Sequence, residues 1–435
     1  MNSTTRPAGD EARSGRGAPN NSGNSALLEA ALTRENLLRA WRRVRRNKGS
    51  AGVDGLSIIA TAELLKTQWP LVAECLLNGT YRPMPVRRVM IPKPDGSQRE
   101  LGIPTVTDRL IQQALLQVLQ PKIDPTFSDH SYGFRPGRSA HDAIRRAQGY
   151  MQAGYKVVVD VDLATFFDRV NHDVLMDRLG KRIADARVLR LIRHYLRAGV
   201  MMNGVTRERD EGTPQGGPLS PLLANVLLDE VDKELERRGH CFVRYADDCN
   251  VYVRSHRAGE RVMTALRQMY GALKLRVNEA KSAVASVHQR KFLGFRFYRA
   301  RDGVKLRVAE KAMQAFKARV RQITRRSRGR SIDQVVEDLQ RYVPGWKGYF
   351  QLSQTPGVFR HLDEWLRHRL RSLHLKQWKR ARTAYDALRS LGVSAREAKA
   401  VAASKLGWWA TSGMQPMNFA LPVAYFDALG VPKLS

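Results

Sequence analysis

Two short apolar segments end in carboxylates, and few folds accommodate that. Tyr155 to Val161 centres on Lys156-Val-Val-Val-Asp-Val161, reads as a buried strand, and runs straight into Asp162. Phe242 to Tyr245 and Asn250 to Val253 read as two more short strands, joined as a hairpin across Ala246-Asp247-Asp248. Brought to one sheet edge, these segments would gather three acids, whose mutual repulsion and desolvation are costly. Hard divalent cations relieve such crowding, and Mg²⁺ favours one or two carboxylates plus substrate phosphates. Two ions roughly 3.5–4 Å apart can serve both the attacking and leaving oxygens of a phosphoryl transfer. Taken alone, Asp247-Asp248 reads more readily as a polar turn. Asp160 shares the alternating face of Asp162, as an extra acid or a structural one.

Charge supplies the partner. With 74 basic and 41 acidic residues the formal net charge is +33 over 435 residues. A surplus of that size is self-repelling in a compact protein, and a nucleic-acid partner offsets it. The cations are clustered: Lys317 to Arg330 holds seven basic residues and no acid, and Trp365 to Arg382 holds seven more. Three cysteines, Cys75, Cys241 and Cys249, form no Cys-x-x-Cys pair, which argues against a zinc ribbon or a disulfide framework. No apolar run reaches the ~20 residues of a membrane helix, and the N-terminus lacks the apolar core of a signal peptide, so a cytoplasmic setting is expected.

Residues 1–25, rich in Gly, Ser, Asn, Pro and Arg, read as a disordered tail. Helical periodicity runs from Leu27 to Trp41, and Asn47 to Gly55 then breaks it with three glycines. Leu110, Ile111, Ala114, Leu115, Val118 and Leu119 mark a helix with one buried face. Asp210 to Pro221 is a Gly/Pro-rich loop feeding a helix through Leu222, Val226 and Val231. The mixture over residues 26–300 predicts an α+β fold, with a mostly helical region beyond Arg301. Ser331 and Gln334 predict a capping box there.

Several further blocks follow one another in order. They are Asn47 to Gly55, Ile91-Pro-Lys-Pro-Asp-Gly96 with Arg99-Glu-Leu-Gly-Ile-Pro104, Ser131-Tyr-Gly-Phe-Arg-Pro-Gly-Arg-Ser139, and Asp162 through Phe167-Asp168. Thr213-Pro-Gln-Gly-Gly-Pro-Leu-Ser-Pro221, Tyr245-Ala-Asp-Asp248, Asn278-Glu-Ala-Lys281, Phe292-Leu-Gly-Phe295 and Gly345-Trp-Lys-Gly-Tyr-Phe350 complete the series. Together they resemble group II intron reverse transcriptases with maturase activity, over roughly residues 26–435. The resemblance implies a right-hand polymerase with fingers and palm over 26–300, a thumb or maturase domain over 301–390, and a short segment over 391–435 with a possible DNA-binding role.

By the same resemblance, Asp162 and Asp247 would bind two Mg²⁺ ions, with Asp248 as accessory carboxylate and the Leu163 carbonyl completing the site. Phe167 would lie under the incoming sugar and exclude a 2′-hydroxyl; it also reads as an ordinary core Phe. Lys93 and Arg99 would meet the triphosphate of a deoxynucleotide, or be solvated cations. Gln215 would contact nucleotide or template. Lys281 would protonate the leaving pyrophosphate, or be a plain surface lysine. Phe292, Leu293 and Gly294 would form the primer grip, though the composition equally fits a buried strand. Trp346, Tyr349 and Phe350 fit core packing better than base stacking. Arg325, Arg326, Arg328, Arg367, Arg369, Arg371, Lys376, Lys379 and Arg380 would face the intron RNA. His368 and His374, embedded in the basic run, fit surface or packing roles.

Many members carry a C-terminal nuclease with paired cysteines and histidines. Here no cysteine follows Cys249, so the chain resembles the branch lacking that domain. DNA cleavage is then not expected, and the DNA primer at a target would come from elsewhere. Two other readings stand beside this one: a reverse transcriptase of another prokaryotic lineage, serving defence or retroelement replication, and a splicing-only maturase with an inactive polymerase core. The intact aspartates argue against the last.

Overall fold

The computed structural model describes residues 26–92, 98–202, 205–207, 210–213, 216–326 and 329–435. The expectations for residues 1–25, Lys93, Gln215 and Arg328 lie outside the described residues.

At the centre is a four-stranded antiparallel sheet in the order Cys241–Tyr245, Asp248–Val253, Val157–Val161, Ala283–Ser286. Val157–Val161 pairs on both sides, with Val158 opposite Tyr252 and Asp160 opposite Asn250. Because side chains alternate, Val159, Val161, Val251 and Val253 enter one core, built with helices Ser220–Arg237 and His256–Ala272. Val158, Val243 and Tyr252 enter another, against Ala143, Ile144 and Ala147 of helix Ala140–Gln152. This second face is apolar at one end and turns acidic at Asp160, Asp162 and Asp248.

Helix Val106–Ile123 packs its apolar stripe against helices Leu27–Leu32 and Arg34–Arg46. The periodicity from Leu27 to Trp41 predicted one helix; Thr33, with ψ 142°, breaks it into two. A second sheet, in the order Gln98–Ile103, Val86–Pro92, Val200–Met202, Val205–Arg207, stands nearby. The Asn47 to Gly55 block is tied to helix Val106–Ile123: Arg109 Nη2 donates to the Ser50 carbonyl at 2.6 Å.

A three-stranded sheet (Lys291–Phe292, Phe295–Ala300, Gly303–Val308) leads into the C-terminal helices. Phe292, Phe295, Phe297, Leu306 and Val308 join the second core, which continues to Leu434. The C-terminal helices are thus joined to the four-stranded sheet through one continuous apolar core. The capping box forms at Ser331 and Gln334 and opens helix Ile332–Phe350. No helix among the described residues is long and apolar enough to cross a membrane.

Candidate active site and nucleic-acid interface

The hairpin turn is tighter than the sequence suggested. Strand pairing resumes at Asp248, opposite Tyr245, so the turn proper is Ala246-Asp247. Ala246 has φ 59°, a left-handed conformation unusual for a residue with a Cβ. Arg244 holds it there. This arginine is 1% exposed and is paired to Asp232 at 2.6 Å; its guanidinium also donates to the Ala246 carbonyl at 2.9 Å and to Asn225 Oδ1 at 2.8 Å. Asn225 in turn donates to the Gly133 carbonyl at 2.9 Å. Gly133 lies so close that a Cβ there would sit 2.2 Å from the Ala246 nitrogen. Glycine is therefore required inside Ser131 to Ser139, and that block buttresses the turn bearing Asp247.

Asp162 is positioned from the opposite side. Its N–H donates to Ser282 Oγ at 3.0 Å and its carbonyl accepts from the Asn278 N–H at 2.8 Å. Asn278 Nδ2 donates to the carboxylate at 3.2 Å, and Lys281 Nζ lies 3.5 Å from it. The backbone of Leu163 is pinned beside Val277 by an isolated bridge. Asp160 is paired with Arg290 at 2.6 Å, which gives that acid a structural partner.

The electrostatics show a deficit of positive charge. Burial lifts Asp247 above the usual carboxylate range; Asp162 adds to the lift and Arg99 opposes it. Burial and the charges of Asp160, Asp247 and Asp162 push Asp248 up to about 8. Burial raises Asp160 despite Arg290. Among the described residues no three His, Cys, Asp or Glu side chains form a ready-made metal cage. The donor set still fits a divalent cation whose shell substrate phosphates complete: hard oxygen donors, buried, crowded and under-neutralised.

A cavity of about 610 Å³ is lined by Arg99, whose charge acts on Asp247, and by Phe167, Gly216, Gly217, Gln113 and Arg109, among others. Arg99 comes from the fingers, and Phe167 follows Asp162 through a short 3-10 turn, Phe166–Asp168. The neighbour Phe166 is the core residue, 3% exposed, whereas Phe167 is half-buried and faces the cavity. The Gly/Pro loop docks on this segment: the Thr213 N–H donates to the Phe167 carbonyl at 2.7 Å. Phe292 is 2% exposed and belongs to the core, while Leu293 and Gly294 form the turn beside it.

The basic helices need correction. Arg367, Arg369 and Arg371 were expected to face RNA together. In a helix, steps of two residues fan side chains around the axis, so the three cannot share one face. Arg371 is 9% exposed, donates to the Leu421 carbonyl at 3.0 Å and lies over Phe426. Arg369 donates to Thr324 Oγ1 at 2.8 Å and lies over Trp365. Arg326 donates to Ser372 Oγ at 3.1 Å and stays exposed. Arg325, Lys376, Lys379 and Arg380 are exposed, and Arg367 is half-buried. Trp346 and Phe350 pack in the core with Phe316, as their spacing suggested. His374 is buried, and His368 stacks on Trp409 at 3.7 Å.

Sequence reasoning missed the positioning residues Asn225, Asp232, Arg244 and Ser282. Arg244 alone carried a signal, as a charge inside an apolar strand.

The chain is similar to several known proteins. A family model described as reverse transcriptase (RNA-dependent DNA polymerase) matches residues 91–297, and one described as the group II intron maturase-specific domain matches 313–392. Protein YkfC of Escherichia coli (strain K12) is 34% identical over 321 residues, 63% of this chain and 84% of that protein. The group II intron-encoded protein LtrA of Lactococcus lactis subsp. cremoris is 34% identical over 241 residues, 55% of this chain and 40% of LtrA. A solved partial Cas6-RT-Cas1--Cas2 complex aligns at TM-score 0.37 and 26% identity, over 56% of this chain and 42% of that one. The chain belongs to the group II intron reverse transcriptases and maturases, RNA-directed DNA polymerases that also assist splicing.

Proposed function

We propose that this chain extends a DNA primer on an RNA template at Asp162 and Asp247 and holds its parent group II intron RNA on its maturase surface. The observation that carries the first half is the meeting of Asp162, Asp247 and Asp248 at one sheet end, with the charge of the cavity residue Arg99 acting on Asp247. Asp162, Asp247 and the Leu163 carbonyl would hold two Mg²⁺ ions, with Asp248 as accessory carboxylate. Bound there, the ions supply activation of the primer hydroxyl and stabilisation of the departing pyrophosphate. The chain's own groups do the positioning. Asn278 and Ser282 orient Asp162, Arg244 fixes the Asp247 turn, and Lys93 and Arg99 meet the triphosphate. Phe167 closes the space beneath the sugar against a 2′-hydroxyl, and Gln215 contacts the nucleotide or template. Lys281, already at the acid cluster, donates the proton to pyrophosphate.

For the second half we assign the RNA face to Arg325, Lys376, Lys379 and Arg380, with Arg367 at its margin, and we divide the chain at about residues 300 and 390. Trp408 and Trp409 reach the surface of the last segment, and Lys376 lies over the Trp408 ring at 5.5 Å. Exposed rings beside cations suit stacking of unpaired bases, which supports a DNA or RNA contact there. The three cysteines are free, in keeping with a ribonucleoprotein of a reducing cytoplasm.

The test mixes purified protein with its flanking intron precursor and, separately, with poly(rA) and oligo(dT). We expect faster splicing and primer extension. Extension without any effect on splicing would favour a reverse transcriptase of another lineage.

A further inference from the structure

The turn between strands Lys291–Phe292 and Phe295–Ala300 consists of Leu293 and Gly294, with φ 48° and 80°. Two left-handed residues suit the twist of a tight hairpin, and the first position ordinarily goes to Asn, Asp or Gly. Leucine there costs roughly 1–2 kcal/mol and has to be held.

The holding groups come from a helix more than fifty residues downstream. Tyr349 Oη donates to the Leu293 carbonyl at 2.9 Å. A Cβ on Gly294 would meet the Phe350 ring at 3.2 Å, so the turn is seated against that ring. Tyr349 is itself anchored. Its own carbonyl accepts from His141 Nε2 at 2.7 Å, and its ring packs on Phe295 with centroids 6.0 Å apart. His141 and Leu293 lie within the reverse-transcriptase match and Tyr349 within the maturase match, so the two halves meet at this point. Burial raises the Tyr349 phenol, and Tyr245, the residue that opens the catalytic hairpin, adds to the rise. Yet Tyr349 remains 37% exposed, more than a core tyrosine requires.

We propose that Tyr349 is a positioning residue for the primer strand: its hydroxyl locks the Leu293–Gly294 turn in the geometry that seats the primer end. This rests on the reading of Phe292 to Gly294 as the primer grip. It gives the maturase helix a direct part in polymerisation, with no contact to the reacting atoms.

Steady-state extension on poly(rA) and oligo(dT), titrating primer–template and dTTP separately, tests it with Tyr349→Phe and Gly294→Ala. Tyr349→Phe removes one hydrogen bond and should raise the KM for primer–template roughly fivefold. Its kcat and the KM for dTTP should stay within about twofold of wild type. Gly294→Ala should raise the same KM, and the double variant should not multiply the two effects, because both act through one turn. If Gly294→Ala moves the primer KM and Tyr349→Phe does not, the role of Tyr349 is overturned while the grip reading stands. If neither moves it, the grip reading fails and this proposal with it. A Tyr349→Phe protein with lower thermal stability and an unchanged primer KM has lost a packing contact only, which also overturns the proposal.

Discussion

Asp162 shows how much machinery one carboxylate needs. Asn278 holds both its carbonyl and its side chain, Ser282 holds its nitrogen, and Lys281 shares its charge. A hydrogen bond to a charged group contributes about 1.5–3 kcal/mol. Asn278→Ala should therefore lower kcat roughly tenfold or more in primer extension, with little change in template affinity; an unchanged kcat would mean Asp162 is oriented without it. At this scale the acids were legible because strands alternate, so Asp160 and Asp162 share a face by arithmetic. Arg244 was legible only as an anomaly. Its partner Asp232 lies on the Ser220–Arg237 helix, and no local rule joins a strand residue to a helix residue before the fold brings them together.

Elements raise a different question, since a hairpin and a helix each depend on what is buried beneath them. Breaking a buried ion pair by removing one partner costs about 3–5 kcal/mol. Arg244→Met should destabilise the protein by that much in urea unfolding, and adding Asp232→Leu should recover most of it. Extension should stay impaired in the double variant, because the Ala246 carbonyl has lost its donor. Full activity there would remove Arg244 from the account of the Asp247 turn. His374, on helix Pro356–Trp378, gives a pH signature. Burial pushes its pKa down to about 4, while unfolded histidine titrates near ~6.5. The neutral folded form is favoured, so this stability is present above about 6.5 and is lost as pH falls toward 4. Between pH 7 and pH 5 the loss should be on the order of 2 kcal/mol, and His374→Phe should flatten it. Helices Val106–Ile123 and Ser220–Arg237 and the strands that carry the acids were readable from periodicity. The split at Thr33 was not, because an apolar stripe continues across a break of one residue. The inward turn of Arg369 and Arg371 was hidden as well, because a basic run states charge and not direction.

Over the whole molecule, two cores share the palm sheet, and the second runs unbroken into the maturase helices. Polymerase and RNA-binding surface are therefore parts of one body, though their chemistries are separate. The exposed cations give a quantitative check. Replacing Lys376, Lys379 and Arg380 with Ala should flatten the plot of log RNA affinity against log salt by about two units, at ~0.7 per single-strand contact. Replacing the buried Arg371 should change stability and leave the slope alone; a larger slope change from Arg371 would reverse the assignment. The ordered blocks made the fold family legible, since they match it in sequence order. The bond from Tyr349 to Leu293 was not legible, because the residues are 56 apart and neither has a motif that points to the other.

The most direct measurement compares wild-type protein with Asp247→Ala in two assays on one preparation: extension of oligo(dT) on poly(rA), and splicing of the flanking intron RNA. The account predicts that Asp247→Ala lowers extension by at least about 10³-fold, the scale of losing a group that stabilises developing charge, while splicing proceeds at the wild-type rate. Extension at full rate by Asp247→Ala would contradict it.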